Sequence, residues 1–411
     1  MIESRRIIFF LPNGAPIDIR IPKMAAKGEP QKLEITCNLP DLIKLSMYRI
    51  IANTMSGGLI FACKSPQGGI FIMKITAHRK TEIEIYSRKS TQAAGTMNTA
   101  EAETRVMLLL KKHFIDTGIT PHLAEILDHR MCVLTELVKS IGTPCSAAYK
   151  QMPAFPPPGM VRSPQEIICE YAERIDLGFY EDRASIVFLE HCGYMSLHNV
   201  FEHGIATGYA NALDTLRGIL FSIVFTLTAI TDKFPLFRHG DLHAGNIMIL
   251  NDMRFVVDPH HTQFVRYRRG GDEWLVPFRG AWIKIIDFGY SQIPEEDVIS
   301  DQRRDPLDVL KMHLSDIHYL LYYIRQNCMT LLRSNPLAEV LDRELFQPMD
   351  PQQIRDNHAG IAETLKRAKD PLTYPQILAC SAFDAFKITA EKKLPDAPIY
   401  QTFEAPPAAR D

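Results

Sequence analysis

Two short stretches carry side chains whose types and order suit chemistry on a phosphate. The first, His239-Gly240-Asp241-Leu242-His243-Ala244-Gly245-Asn246, puts a carboxylate and a carboxamide five residues apart and runs straight into the apolar Ile247-Met248-Ile249-Leu250. The second, Ile283-Lys284-Ile285-Ile286, is another apolar run and ends in Asp287-Phe288-Gly289. Asp241 can orient a hydroxyl for attack. The amide oxygen of Asn246 and the carboxylate of Asp287 are hard oxygen donors of the kind that hold Mg²⁺ against phosphate oxygens. Either tripeptide alone is common at turns. In this order, each beside an apolar strand, they point to phosphoryl transfer from ATP.

Such groups need a frame. Tyr48 to Ile51 and Leu59 to Cys63 read as strands, and so does Ile70-Phe71-Ile72-Met73-Lys74-Ile75. Lys74 is a lone cation in that run, which is costly unless a charge lies nearby. Asn98 to Lys112 opens on a polar residue, carries acids early and ends Lys-Lys, as a helix dipole favours. From Glu103 the residues at +3, +4 and +7 are Val106, Met107 and Leu110, so Glu103 shares the apolar stripe. Glu101 is followed at +3 and +4 by Thr104 and Arg105 and reads as solvated. Asp214 to Thr231 is a strongly apolar helix, suited to carry the loop that follows it.

His239 to Asn246 resembles the H-x-D-x-x-x-x-N catalytic loop of the protein-kinase-like superfamily, and Asp287-Phe288-Gly289 resembles its D-F-G. The resemblance implies an α+β, bilobal protein-kinase-like fold, with a small antiparallel β N-lobe plus one helix and a larger helical C-lobe. It implies ATP and Mg²⁺ as cofactors, Asp241 as catalytic base, Asn246 and Asp287 as metal ligands, and Lys74 paired with Glu103. Counting back from Lys74, Leu59 takes the place of the residue capping adenine, and Gly57 and Gly58 the end of the glycine loop. The two earlier glycine positions fall on Ala52 and Thr54, a departure that implies a looser grip on nucleotide. His122 to Asp128 resembles the fourth strand, and Ser185 to Gly193 the fifth strand and hinge, with Glu190 and Cys192 at the adenine edge. Ser315-Asp316-Ile317 resembles the buried Asp helix, whose carboxylate holds the catalytic loop. The chain looks most like the divergent serine/threonine kinases of large DNA viruses, with haspin-type features in D-L-H-x-G-N and a short activation segment. A protein substrate follows from that likeness. Small-molecule phosphotransferases of the aminoglycoside and choline kinase type also carry H-G-D-L-H-x-G-N, and Arg304 to Asp308 echoes their acidic segment. A pseudokinase scaffold is the third reading. Gly240 stands where many protein kinases have an Arg that meets a phosphate on the activation segment. Activity without that phosphate is therefore implied, with Ser291→Ala and Ser300→Ala silent.

The length of 411 residues allows two or three compact units. The pattern divides them into an N-terminal β extension (1–47), an N-lobe (48–192) with an insertion at about 129–185, a C-lobe (193–350) with an insertion at about 251–282, and a C-terminal helical tail (351–411). Residues 17–21 and 33–36 alternate as strands. The first insertion holds the proline run from Pro153 to Pro158, an extended loop, and a short helix from Glu166 to Arg174. The second alternates Arg266, Arg268, Arg269 and Arg279 with aromatic residues, as a plain hairpin or an anion-docking surface. In the tail Phe383 and Phe386 read as anchors, and Pro395, Pro398, Pro406 and Pro407 as a frayed end.

A net charge of −2 gives no electrostatic case for nucleic acid or an anionic membrane. Leu216 to Ile230, the most apolar stretch, contains Arg217 and reads as short of a membrane span. The eight cysteines form no CxxC pair, which reads against a zinc site or disulfide framework and for a reducing compartment. The apolar run before Pro12 is too short for a signal peptide core. The chain reads as intracellular and cytoplasmic, in host cytoplasm or virion if viral, with its oligomeric state open.

Overall fold

The computed structural model describes residues 6–10, 16–20, 37, 47–53, 58–64, 69–80, 98–140, 164–193, 195–202, 212–251, 263–278, 281–299, 314, 316–321, 323–324, 372–389 and 399–405. The chain divides into two compact units, residues 1–77 with 127–191 and residues 78–126 with 192–411.

In the first unit, β1 (Arg6–Phe10) and β2 (Pro16–Arg20) form an antiparallel pair with Ile7 opposite Ile19. The second strand expected in the extension, 33–36, lies outside the described residues. Five further strands make one sheet: β3 (Met47–Asn53), β4 (Gly58–Lys64), β5 (Ile70–Arg79), β6 (Ile126–Cys132) and β7 (Tyr180–Glu190), in the order β3-β4-β5-β7-β6. Leu59, Phe61 and Cys63 alternate into its core, where they meet Phe71, Met73, Ile75, Ile186 and Phe188. Two helices from the first insertion join that core, α2 (Leu134–Lys139) through Leu134 and Leu137 and α3 (Pro164–Asp176) through Ile168 and Tyr171. Each such side chain contributes roughly 1.5–3 kcal/mol when fully buried, so these two helices are part of the unit's core; the proline run from Pro153 to Pro158 lies outside the described residues.

Cys37 and Cys132 form a disulfide across 95 residues of sequence, with Cα atoms 5.6 Å apart, and Cys169 is disulfide-bonded as well. This corrects the reading of scattered, reduced cysteines. Bridging depends on spatial approach, which sequence spacing does not reveal. Cys63, Cys192 and Cys380 are thiols rather than disulfide partners.

The second unit opens with α1 (Thr99–Leu110), capped by Asn98, whose side-chain oxygen accepts from Ala100 N at 3.0 Å. The stripe predicted for this helix is buried: Glu103, Val106, Met107 and Leu110. The sequence pattern assigned α1 and His122 to Asp128 to the N-lobe, and here contacts group residues 78–126 with the second unit instead. The physical reason lies in the loop after the helix. Leu123 bridges Ile285, Ala124 N donates to Ile285 O at 3.0 Å, Ile285 N donates to His122 O at 2.8 Å, and the Thr120 and Thr226 hydroxyls meet at 2.7 Å. The strand itself starts only at Ile126.

After β8 (Met195–Ser196) and α4 (Leu197–Glu202) comes α5 (Ala212–Lys233). Over Thr215–Lys233 it has mean hydropathy 1.4, so by length and composition alone it reaches a membrane span, contrary to the sequence reading; 83% of that window is buried inside the protein. Two three-stranded sheets belong to the same unit. β12 (Ala281–Ile285) pairs antiparallel with β9 (Ile247–Asn251), which also pairs with β8. β10 (Gln263–Arg269) and β11 (Asp272–Phe278) form a hairpin closed by Gly270 and Gly271, both at positive φ as a tight two-residue turn requires. The second insertion is thus a hairpin. Its arginines serve structure, since Arg266 and Arg268 pair with Glu273 at 2.7 and 3.5 Å and Arg269 grips Asp232 with two bonds of 2.6 and 2.7 Å. Arg279 lies outside the described residues.

The tail departs from expectation. Among the described residues its helix is α6 (Tyr374–Leu378) with a 3-10 turn at Ser381–Phe383, and Phe383 and Phe386 do pack edge-on against Phe221, at 5.4 and 5.7 Å. The four prolines of the expected frayed end, Pro395, Pro398, Pro406 and Pro407, lie outside the described residues, but the chain between Pro398 and Pro406 has regular structure. It forms β13 (Ile399–Ala405), parallel to β10, with Phe403 buried beside Tyr267, Trp282 and His122.

His122, His239 and His318 are buried, and burial is the largest cause holding all three below the usual histidine range, His122 down to about 3. Each stays neutral in the folded chain while the unfolded chain takes up a proton near pH 6.5. Stability is therefore retained above that pH and falls as pH drops below it, by up to about 1.4 kcal/mol per pH unit for each histidine. Urea midpoints measured from pH 7.5 down to pH 5 should fall steadily; a flat profile would contradict the buried neutral state.

Candidate functional site

Strand register builds the site. β9 starts directly after Asn246 and β12 ends two residues before Asp287, and Ile247 lies opposite Ile285. Antiparallel pairing then brings the two motifs side by side, and Ile286 N donates to Asn246 O at 3.0 Å. The Asn246 amide nitrogen donates to Asp241 O at 2.9 Å and to Asp241 Oδ2 at 3.3 Å. With its nitrogen committed to Asp241, Asn246 presents its oxygen end elsewhere. Asp287 turns the chain at φ 63°, a left-handed conformation that Asp tolerates better than most residues.

The loop from His239 to Asn246 is held from below. Asp316, itself buried, accepts from His239 N at 2.7 Å and from Gly240 N at 3.0 Å, as expected for the buried Asp. His239 donates from Nε2 to Ile286 O at 3.0 Å, accepts from Asp241 N on Nδ1 at 3.3 Å, and packs its ring 5.0 Å from Phe288. One histidine thereby fixes both motifs. Burial keeps it neutral against the opposing pull of Asp316, Asp287 and Asp241.

Glu103 is 5% exposed, whereas Glu101 remains half-buried, which agrees with the stripe that singled out Glu103. A Cβ on Gly289 would lie 3.5 Å from Asp287 Oδ1 and 3.9 Å from Glu103 Oε2, so both carboxylates reach the same space beside that glycine. The second unit therefore brings Asp241, Asn246, Asp287 and Glu103 together. Cys192 belongs to the same unit and is buried.

The first unit carries the remaining candidates. Lys74 is 5% exposed on β5, opposite Ile60, and Leu59 is fully buried opposite Ile75. Gly58 is buried at the start of β4 and Glu190 is half-buried at the end of β7. Gly57 lies outside the described residues, as do Ala52's side chain and Thr54.

Three features escaped the sequence reading. Ser291 is buried, and its hydroxyl donates to His239 O at 2.8 Å, so Ser291→Ala tests an internal hydrogen bond and is no longer expected to be silent. Ser300 lies outside the described residues. Tyr319 stands near Asp241, its phenol pushed up first by burial and then by the Asp241 charge. His243 accepts from Gly245 N and faces Asp241. Its spacing two residues after Asp241, with Gly two further on, was the available signal.

The donor set fits Mg²⁺, which takes one or two carboxylates or amide oxygens and completes its shell with phosphate and water. Among the described residues no group of three His, Cys, Asp or Glu stands together as a self-sufficient metal cage.

No family model matches the chain. Among curated proteins it is 24% identical over 314 residues to a protein of Acanthamoeba polyphaga mimivirus named as a serine/threonine-protein kinase, covering 75% of this chain and 59% of the relative. A second mimivirus protein of the same designation is 30% identical over 146 residues, covering 31% and 35%. A Dictyostelium discoideum protein named as a serine/threonine-protein kinase is 31% identical over 117 residues, 27% of this chain and 9% of that protein. The chain thus spans less than two thirds of each relative's length. Among solved structures it aligns with the BubR1 kinase domain at 12% identity and TM-score 0.39, over 78% of this chain and 79% of that one. With an α+β architecture, the catalytic loop and D-F-G turn in register, and relatives named as kinases in mimivirus and Dictyostelium, the chain resembles the protein-kinase-like superfamily, viral-type kinases included.

Proposed function

We propose that this chain is an ATP- and Mg²⁺-dependent serine/threonine protein kinase that transfers the γ-phosphate to a protein hydroxyl. The observation that carries the reading is the convergence of Asp241, Asn246, Asp287 and Glu103 on one frame. Asp241 would hold the acceptor hydroxyl and take its proton. Asn246 and Asp287 would hold Mg²⁺, which when bound neutralises charge on the transferring phosphate. Lys74 would bind nucleotide phosphates, and Glu103 would orient Lys74. Asp316 bonded to the catalytic-loop backbone favours a protein acceptor over the small-molecule kinases. The echo of those kinases at Arg304 to Asp308 lies outside the described residues.

The test is transfer from labelled ATP with Mg²⁺ to mixed protein acceptors and, separately, to choline-like and aminoglycoside-like compounds. Label on protein serine or threonine is the expected result. Label only on a small molecule would replace the reading, and none at all would favour a scaffold. Lys74→Met in the same assay should lower transfer roughly a hundredfold or more, because a buried phosphate contact is lost. Methionine fills the strand position without a charge, so the melting temperature should hold. Unfolding of that variant in a parent that never bound nucleotide would count for the scaffold.

A further inference from the structure

We infer that the chain binds one structural water between α5 and the β10–β11 hairpin, on the hydroxyls of Thr215, Ser222 and Tyr267, at a site independent of the kinase reading. α5 carries five hydroxyls. Ser222, Thr228 and Thr231 donate back to the carbonyls of Gly218, Val224 and Leu227 at 2.9, 2.7 and 3.0 Å, and Thr226 meets Thr120 at 2.7 Å. Thr215 does neither. Its residue is 6% exposed, and its Oγ1 is buried with no hydrogen-bond partner from the protein. A hydroxyl left that way costs roughly 1–3 kcal/mol. Thr215 lines a cavity of about 20 Å³ with Gly218, Ser222, Tyr267, Val276 and Pro277. That passes the roughly 10–15 Å³ needed to hold one water.

The other polar groups of the cavity are short of a donor. Ile283 O can only accept, so His122 Nδ1, 3.1 Å away, carries the ring proton and Nε2 offers a lone pair. Tyr267 must then donate to Nε2, at 2.7 Å, and burial pushes its phenol up, so the proton stays on its oxygen. That oxygen also lies 3.1 Å from Ser222 Oγ, and Ser222 Oγ lies 2.9 Å from Gly218 O. With the Tyr267 proton committed to His122, Ser222 has one proton for two acceptors. The chain of bonds from Ile283 to Gly218 therefore lacks one donor, and Thr215 beside it lacks any partner. A water has two protons and two lone pairs. One O–H completes the Tyr267–Ser222 pair, and the rest of the molecule answers the Thr215 hydroxyl.

The experiment starts with a crystal structure of the full chain, at a resolution that shows ordered water. Density is expected for one water within roughly 3.2 Å of Thr215 Oγ1 and of Tyr267 Oη or Ser222 Oγ. A dry cavity would overturn the inference, as would Thr215 Oγ1 bonded to a protein acceptor in its place. Thermal unfolding of Thr215→Val gives a second reading, because valine keeps the shape and removes the hydroxyl. With water bound, the variant strips the water of a partner and the melting temperature should fall by about one degree or more. With a dry cavity it removes an unpaired buried hydroxyl, so an unchanged or raised melting temperature would overturn the site. Gly218→Ala closes the cycle. A Cβ there would lie 3.4 Å from Val276 Cγ1 and 3.9 Å from Pro277 O, with no other contact within 4 Å, so the methyl fits and takes the water's space. In that background the water should be gone from the crystal structure, and Thr215→Val should no longer lower the melting temperature. The same fall in both backgrounds would show that the Thr215 hydroxyl acts without water.

Discussion

Asp287→Asn is expected to fold as the parent does and to transfer phosphate at roughly a thousandth of its rate or less, a loss of about 4 kcal/mol from transition-state stabilisation. Asparagine is the informative substitution because Asp287 sits at φ 63°, and Asn tolerates that conformation nearly as well. The turn is kept and only the charge is removed. Asp287→Ala should be as inactive, with an added small cost in stability from alanine at positive φ. The neighbouring frame should persist in both, since the bonds from Ile286 N to Asn246 O and from His239 Nε2 to Ile286 O do not involve the Asp287 side chain. Transfer from labelled ATP at saturating Mg²⁺ decides it. Activity within a few-fold of the parent in Asp287→Asn would remove Asp287 from the metal site.

Gly240→Ala should be nearly as damaging, by a different route. Gly240 has φ +82°, and a Cβ there would lie 2.3 Å from Tyr290 O and 3.0 Å from Tyr290 C. The obstacle is backbone, so no side chain can give way. Just beyond, Arg238 and Gln292 exchange two backbone hydrogen bonds, at 3.1 and 2.8 Å, and Leu236 N donates to Glu295 Oε1 at 2.6 Å. The chain after the D-F-G turn is thus zipped onto the catalytic loop, and the glycine is the tooth that lets it close. Its alanine variant should lose at least about 2 kcal/mol of stability and most of its transfer activity, since strain and clash fall on the same peptide. The same clash excludes a guanidinium-bearing side chain at this position, so the loop cannot read a phosphate from there. Phosphatase treatment of the parent should leave initial rates unchanged; a marked drop would show that another cation reads a phosphate here.

The short motifs were legible because chemistry restricts them to a few residue types at fixed spacing, and because the strands beside them are apolar without interruption. Glu103 was legible for a similar reason: three apolar neighbours at helical spacing mark the face that turns inward. Four features were not. The allegiance of α1 to the second unit depends on Leu123 meeting Ile285, a contact across some 160 residues of sequence that local periodicity does not encode. Cys37 and Cys132 were hidden because no spacing rule links cysteines 95 residues apart. The strand Ile399–Ala405 was masked by flanking prolines, which read as a stop while in fact bounding a short extended segment. The arginines of the second insertion looked like a docking surface because their acids, Asp232 and Glu273, lie elsewhere on the helix and the opposite strand.

The parallel pairing of β13 with β10 sets a schedule for the newborn chain. Phe264 lies opposite Ile399, so the ribosome must add more than a hundred residues after β10 before its second neighbour exists. At ordinary elongation rates that is a wait on the order of ten seconds. Throughout it the hairpin keeps one open edge, and Tyr267, Trp282 and His122 lack the Phe403 ring that later sits among them. By then the loop bearing Asp241 and the turn bearing Asp287 have already left the tunnel. The catalytic parts are thus made before the lid on their supporting layer, and any neighbouring nascent chain carrying its own Ile399–Ala405 can fill that edge first. Strand exchange between copies is the misassembly this topology invites, and crowded polysomes are where it would begin.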